Sequence, residues 1–201
     1  EIKNNWSGAC GSGVQTTLMQ AITMSCNIPI AELAMSMDRD EVPNMAHAFG
    51  FDQDLSIPLE VTPSTAPPPL DQAQVATSSI GQLDVKATPL QMAMVSAGIA
   101  NGGKVMKPQL VDQVIAPDLK VEKDFTPETF STPISADTAK TLGGMMEHVV
   151  SDTDGTGHMA AIDGVRVAGK TGTAENGFNE DGTERPFTLW FTGFAPVNDP
   201  Q

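Results

Sequence analysis

Apolar positions recur at helical spacing through the first fifty residues. Leu18, Ile22 and Cys26 fall on one face of a helix expected from Val14 to Met24, and Ile30, Leu33 and Met37 on one face of a second, which Pro29 opens. The break holds Ser25, Cys26 and Asn27, where helix ends leave backbone groups free and polar side chains can point into a cleft. A short third helix is expected from Pro43 to Phe49, stopped by Gly50. Pro58, Pro63, Pro67, Pro68 and Pro69 remove backbone donors from the next stretch, which predicts a stiff surface loop.

Thr88-Pro89-Leu90-Gln91 has the form of a capping box with proline at the first helical position, and Asn101-Gly102-Gly103 supplies a left-handed stop. The helix between, Pro89 to Ala100, is rich in small residues and is expected to be buried on several sides. Val105 to Ile115 and Leu119 to Phe125 read as strands, and Ser135 as the cap of a helix with Leu142, Met145, Met146 and Val149 on its apolar face. Gly155-Thr156-Gly157 marks a turn. The period then changes from 3.6 to 2: Val165 and Val167 lead into Gly169-Lys170-Thr171-Gly172-Thr173, and Phe187, Leu189 and Phe191 alternate with Thr188, Trp190 and Thr192. Joined by the polar stretch Asn176 to Arg185, the two runs predict an antiparallel hairpin.

Composition narrows the function. The 201 residues are 40% apolar and 18% charged, as in a globular chain. Asp and Glu total 25 against 11 Lys and Arg, and a net charge of -14 argues against nucleic acid or an anionic membrane surface as a partner. The longest mainly apolar stretch, Met92 to Ala100, is far short of the roughly 20 residues that span a bilayer, and no charged-then-apolar leader opens the chain, so any export signal or anchor is expected outside this piece. Cys10 and Cys26 permit one disulfide, but two small half-buried hydrophobes are the favoured reading, since nothing in the sequence fixes their distance. His47, His148 and His158 are scattered and lack partners at metal or catalytic spacing, which leaves surface or capping roles; no metal or cofactor is expected. The 11 methionines read as core filler.

On the first predicted strand of the hairpin, Lys170 and Gly172 face one side and Thr171 and Thr173 the other. They serve one site only if that strand borders a cleft. Gly172 would weaken a strand unless a ligand or another backbone comes close, and a peptide laid alongside as an extra strand meets that condition. One ammonium and two hydroxyls suit an anion such as a terminal carboxylate. Plainer readings remain: Asn27 capping the helix that follows, Ser25 satisfying the last turn before it, Lys170 solvated, and Thr171 and Thr173 as ordinary strand formers. Gly164 to Thr171 also matches the Walker A phosphate-loop pattern letter for letter, but that loop needs a buried strand before it and a helix after it. His158 to Asp163 is a poor strand, and Gly172 with Asn176-Gly177 forbids the helix.

Ser25-Cys26-Asn27 and Lys170-Thr171-Gly172 resemble two of the three signatures of penicillin-binding proteins and serine β-lactamases. Flanked by Ala87-Thr88-Pro89-Leu90-Gln91-Met92-Ala93 and by Trp190-Phe191-Thr192-Gly193-Phe194-Ala195-Pro196, they look specifically like class B penicillin-binding proteins, with Ser78 to Leu110 most similar to actinobacterial, penicillin-binding protein A-like members. The resemblance implies an α/β (α+β) transpeptidase fold, a central antiparallel sheet flanked by helices. It implies a serine-type D,D-transpeptidase acylated by D-Ala-D-Ala stem peptides of peptidoglycan and by β-lactam antibiotics. The enzyme would be anchored on the extracytoplasmic face of the cell membrane, with cell-wall synthesis or division proteins as further partners. Carried over by motif, Ser25 relays a proton toward the leaving amine, Asn27 holds the substrate amide and Lys170 tunes the relay. Thr171 and Thr173 bind the terminal carboxylate beside Gly172, and the Thr173 N–H supplies half of the oxyanion hole.

The departure from the pattern is that no serine here has a lysine three positions later. Residues 1–201 are therefore expected to be a partial transpeptidase domain, lacking the upstream nucleophile segment and the C-terminal end, and inactive alone. A non-catalytic penicillin-binding sensor or scaffold on the same fold is the alternative.

Overall fold

The computed structural model describes residues 2–4, 8–11, 13, 15–55, 57 and 59–200; the expected helix start at Val14, and Pro58, lie outside them. Helix α1 (Leu18–Thr23) starts at Thr17, whose hydroxyl accepts the Gln20 N–H at 3.2 Å while the Gln20 side chain accepts the Thr17 N–H at 3.0 Å. Helix α2 (Asn27–Met35) begins two residues before Pro29, which is tolerated because first-turn N–H groups have no intrahelical acceptor. Its buried side is Ala31 and Ala34, whereas Leu33 and, just beyond the helix, Met37 are exposed. The face read from periodicity is thus the outer one: short side chains let α2 lie close against a neighbour, and periodicity of large residues cannot report that.

The neighbour is α4 (Gln72–Ser78), which follows α3 (Glu41–Ala48) and has no counterpart among the helices expected from the sequence; Asp71 caps it by accepting the Gln74 N–H at 2.9 Å. The proline-rich stretch before it is not a surface loop throughout. Ser64 and Ala66 are buried, Thr65 exchanges backbone hydrogen bonds with Lys86 at 2.8 and 2.9 Å, and the Ser64 hydroxyl accepts the Thr88 N–H at 3.0 Å. Prolines that cannot join a sheet still leave alternate residues free to pair.

Helix α5 (Pro89–Ala100) has the predicted bounds, with the Thr88 hydroxyl accepting the Gln91 N–H at 3.1 Å. The capping box is only half made. Gln91 turns inward, fully buried, and its amide donates to the Phe49 carbonyl at 2.8 Å. Gly102 and Gly103 end the helix at φ 62° and 88°, and a Cβ on Gly103 would sit 2.1 Å from the Ile134 carbonyl oxygen, so only glycine fits. Phe49, Leu55, Met94 and Val105 form a core around α5.

The strand expected over Val105 to Ile115 divides between two sheets: β1 (Val105–Met106) pairs with β4 (Thr129–Ser131), and β2 (Gln113–Ile115) with β3 (Val121–Asp124), all antiparallel. Helix α6 (Ala136–Ser151) is capped by Ser135 as predicted, and buries Ala139, Gly143, Met146, Val149 and Val150 rather than Leu142 and Met145. The predicted hairpin is β5 (Ala168–Ala174) paired with β6 (Thr188–Phe194), Lys170 opposite Thr192 and Thr171 opposite Phe191. Helices α5 and α6 both pack on the face of this pair that carries Thr192 and Phe194; the opposite face leaves Leu189 and Phe191 exposed. The mixed α/β arrangement, an antiparallel pair with helices packed against it, matches expectation.

Candidate functional site

The turn between α1 and α2 has a defined shape. The Cys26 N–H reaches back to the Ala21 carbonyl at 2.8 Å and the Ser25 N–H to the Ile22 carbonyl at 3.2 Å, the pair of bonds that closes a helix through a left-handed residue. That residue is Ser25, at φ 55°. Glycine is usual there, and a side chain costs about 1–2 kcal/mol. What the strain achieves is direction: the Ser25 hydroxyl leaves the helix axis and meets the ammonium of Lys170 at 2.6 Å.

Cys26 is the next residue, and it is joined to Cys10 in a disulfide, which corrects the favoured reading of two free thiols. Their Cα atoms are 6.2 Å apart, a separation that depends on how residues 10 to 26 fold back and that no spacing rule encodes. Asn27 does not cap α2 but forms its first turn; its N–H donates to the Asn4 side-chain oxygen at 3.0 Å and its amide to the Lys3 carbonyl at 2.7 Å. Of the six residues singled out in the sequence, Asn27 alone lies apart from the hollows that the others line.

Lys170 starts on the face of β5 that looks toward α5, yet its amine donates to the Thr171 carbonyl at 2.8 Å as well as to Ser25. Burial without a carboxylate partner among the described residues lowers its pKa to about 8. Thr171 points to the other face, where its hydroxyl lies 2.6 Å from that of Thr156. Ser25, Thr156, Thr171, Gly172 and Thr173 border a hollow of about 320 Å³ with Leu189 and Trp190. A second hollow of about 530 Å³, mostly apolar, is lined by Lys170, Met92 and Ile80 and shares Thr171, Gly172, Thr173 and Trp190 with the first. Gly172 borders both, and a Cβ there would approach the Trp190 Cβ to 3.2 Å. On the described residues β5 has a strand partner on one edge only, so an extended ligand has a place beside it.

Three contributors escaped the sequence reading. In the sequence Thr156 marks only a turn. Ser96, buried on α5, has its hydroxyl 2.5 Å from Thr192, which in turn donates to the Met92 carbonyl at 3.1 Å and so fixes β6 on α5. Gln82 donates to the Thr173 carbonyl at 3.4 Å. Each partner is 15 or more positions away, beyond any local pattern. The Walker A match fails on context: Lys170 and Thr171 lie inside a strand that continues to Ala174, and no helix follows. The described residues contain no cluster fit to hold a metal ion, and no helix among them is long and apolar enough to cross a membrane. One buried cation, several hydroxyls and a free strand edge can hold an extended peptide by its anionic end and pass a proton from Ser25.

Residues 2–201 match the penicillin binding protein transpeptidase domain family. The chain is 43% identical over 199 residues to the peptidoglycan D,D-transpeptidase PbpA of Mycolicibacterium smegmatis, covering 98% of this chain and 40% of that protein. It is 37% identical over 202 residues to PbpA of Mycobacterium tuberculosis, covering 100% and 40%. The crystal structure of PBPA from Mycobacterium tuberculosis superposes with a TM-score of 0.86 at 35% identity, over 96% of this chain and 42% of that one. The penicillin G acyl-enzyme complex of the same protein superposes at 0.84 and 35%, with the same coverage. The chain therefore spans about 40% of the length of these relatives.

Proposed function

We propose, for a chain that belongs to the transpeptidase domain family of class B penicillin-binding proteins, that it forms the proton-relay and carboxylate-binding half of a peptidoglycan D,D-transpeptidase site. The observation that carries the reading is the 2.6 Å hydrogen bond from Lys170 to Ser25, which joins the two motifs across 145 positions. The nucleophilic serine and its lysine come from sequence outside these residues, since no Ser-x-x-Lys occurs within them and the relatives are more than twice as long. In this reading residues 1–201 are a partial transpeptidase domain. The protein works on the extracytoplasmic face of the cell membrane, with its anchor outside this chain and with other wall-synthesis or division proteins as partners.

In the reaction, the serine oxygen attacks the carbonyl of the penultimate D-alanine, the C–O bond forms as the C–N bond breaks, and the leaving D-alanine amine takes up a proton. Lys170 donates to Ser25 Oγ and leaves the Ser25 proton free to be passed to that amine, while the proton lost by the attacking serine goes to the lysine of its own motif and from there back to Ser25. The same ammonium, near pKa 8, balances negative charge building at the leaving group. Thr171 and Thr173 hold the substrate carboxylate, Gly172 keeps the strand face open and the Thr173 N–H stabilises the oxyanion; Asn27 is assigned the substrate amide, which it reaches only by releasing the Lys3 carbonyl. A second stem peptide's amine then takes the acyl group.

The test is labelling of the full-length protein with fluorescent penicillin, with attachment to serine read by mass spectrometry. The reading expects stoichiometric acylation that Lys170→Ala slows by about 100-fold or more. Acylation at the same rate in both proteins would refute the assigned role, and reversible binding without a covalent adduct would favour a sensor on the same fold.

A further inference from the structure

We propose that Thr156, on the turn after α6, is a positioning residue for carboxylate recognition: it donates its hydroxyl proton to Thr171, so that the Thr171 proton is aimed at the anionic end of the ligand. The inference rests on the proposed transpeptidase reading and adds a residue to that site.

Three contacts fix Thr156. Its N–H donates to the Thr23 carbonyl at 3.3 Å, in the last turn of the helix that presents Ser25. Its hydroxyl lies 2.6 Å from the Thr171 hydroxyl on β5. Its two neighbours are glycines pressed onto the end of α6. A Cβ on Gly155 would come within 2.4 Å of the Val149 carbonyl oxygen, and one on Gly157 within 3.2 Å of the same atom and 3.5 Å of the Phe191 ring. The turn therefore cannot shift without breaking its seat, and the one side chain it carries between two glycines stands in the hollow shared by Ser25 and Thr171.

A hydroxyl has one proton and accepts through its lone pairs. If Thr171 gave its proton to Thr156, it would present only lone pairs to a carboxylate and repel it. With Thr156 as donor, the chain runs from Thr156 to Thr171 to the anion, each bond polarising the next. Thr156 thus touches Thr23 and Thr171 and acts on the ligand through Thr171, while joining the Ser25 turn to the Lys170 strand.

The test compares wild-type full-length protein with Thr156→Val and Thr156→Ser, measuring second-order acylation constants for a penicillin and for its carboxyl methyl ester. The expected result is that Thr156→Val lowers the acid-to-ester ratio about tenfold and Thr156→Ser restores it. An unchanged ratio, or an equal loss on acid and ester, overturns the proposal. If wild type is acylated by neither, the transpeptidase reading fails. Thr156 is then judged by equilibrium binding of N-acetyl-D-alanyl-D-alanine against its C-terminal amide. A preference for the acid that shrinks in Thr156→Val supports the role, and no preference in wild type, or one the variant keeps, overturns it.

Discussion

The ammonium of Lys170 lies 2.6 Å from the hydroxyl oxygen of Ser25, and burial holds its pKa near 8. Protonated Lys170 is the form that donates to Ser25. β-Lactam labelling is therefore expected to fall as pH rises through 8, and Lys170→Arg, which stays charged, is expected to keep its own rate flat to higher pH; stopped-flow labelling across pH 6.5 to 10 reads both. The stability sign is separate. The folded pKa lies below the unfolded value of 10.5, so between about pH 8 and 10.5 the unfolded chain binds more protons and stability rises with pH. Relative to Lys170→Met, wild type should gain up to about 3 kcal/mol across that window in urea unfolding.

Ser25→Gly separates stability from activity. Glycine has no penalty at φ 55°, so the variant is expected to unfold about 1 kcal/mol less readily than wild type while labelling at least about 100-fold more slowly. Ser25→Ala should lose labelling without the gain. Equal stability of the two variants would contradict the left-handed turn.

Gly169→Ala places a methyl 2.4 Å from Phe191 Cζ and 2.7 Å from Cε2. The expected cost is about 1–3 kcal/mol in urea unfolding, with Phe191→Leu recovering part of it in the double variant. Strict additivity of the two changes would show that they do not meet.

Reduction of the Cys10–Cys26 bond is expected to lower stability by about 3 kcal/mol, because the unfolded chain regains the freedom of a loop closed over a separation of 16 residues. Cys26 is also the residue whose N–H closes the Ser25 turn, so Cys10→Ser should slow penicillin labelling as well as lower the urea midpoint. Full labelling at reduced stability would confine the bond to a structural role.

The parts of the fold legible in sequence are those specified locally. Thr88-Pro89 and Gly102-Gly103 bound α5 correctly because capping and left-handed stops are properties of adjacent residues. The alternation from Phe187 to Thr192 found β6 for the same reason, and the faces of Lys170 and Thr171 followed from strand geometry. Local rules also misled where a distant partner outbid them. The capping-box pattern turns Gln91 back to its own cap, but the Phe49 carbonyl, 42 positions earlier, takes its proton inside the core. Ser25 was legible as a motif residue, and the turn that aims it was not, since serine in a left-handed position carries no sequence signal. Thr156 and Ser96 become visible only when strands and helices are assembled, because hydroxyl pairs have no periodicity.

Thr192 sits across the hairpin from Lys170, and its hydroxyl is tied at once to Ser96 and to the Met92 carbonyl. A ligand leaning on the lysine strand consequently presses through β6 against the flank of a 12-residue helix, not against a loop that yields. Tight grip and a fixed height for the reacting groups then come from the same two hydroxyls, and loosening either should let the strand ride up under load before any contact with the ligand is lost.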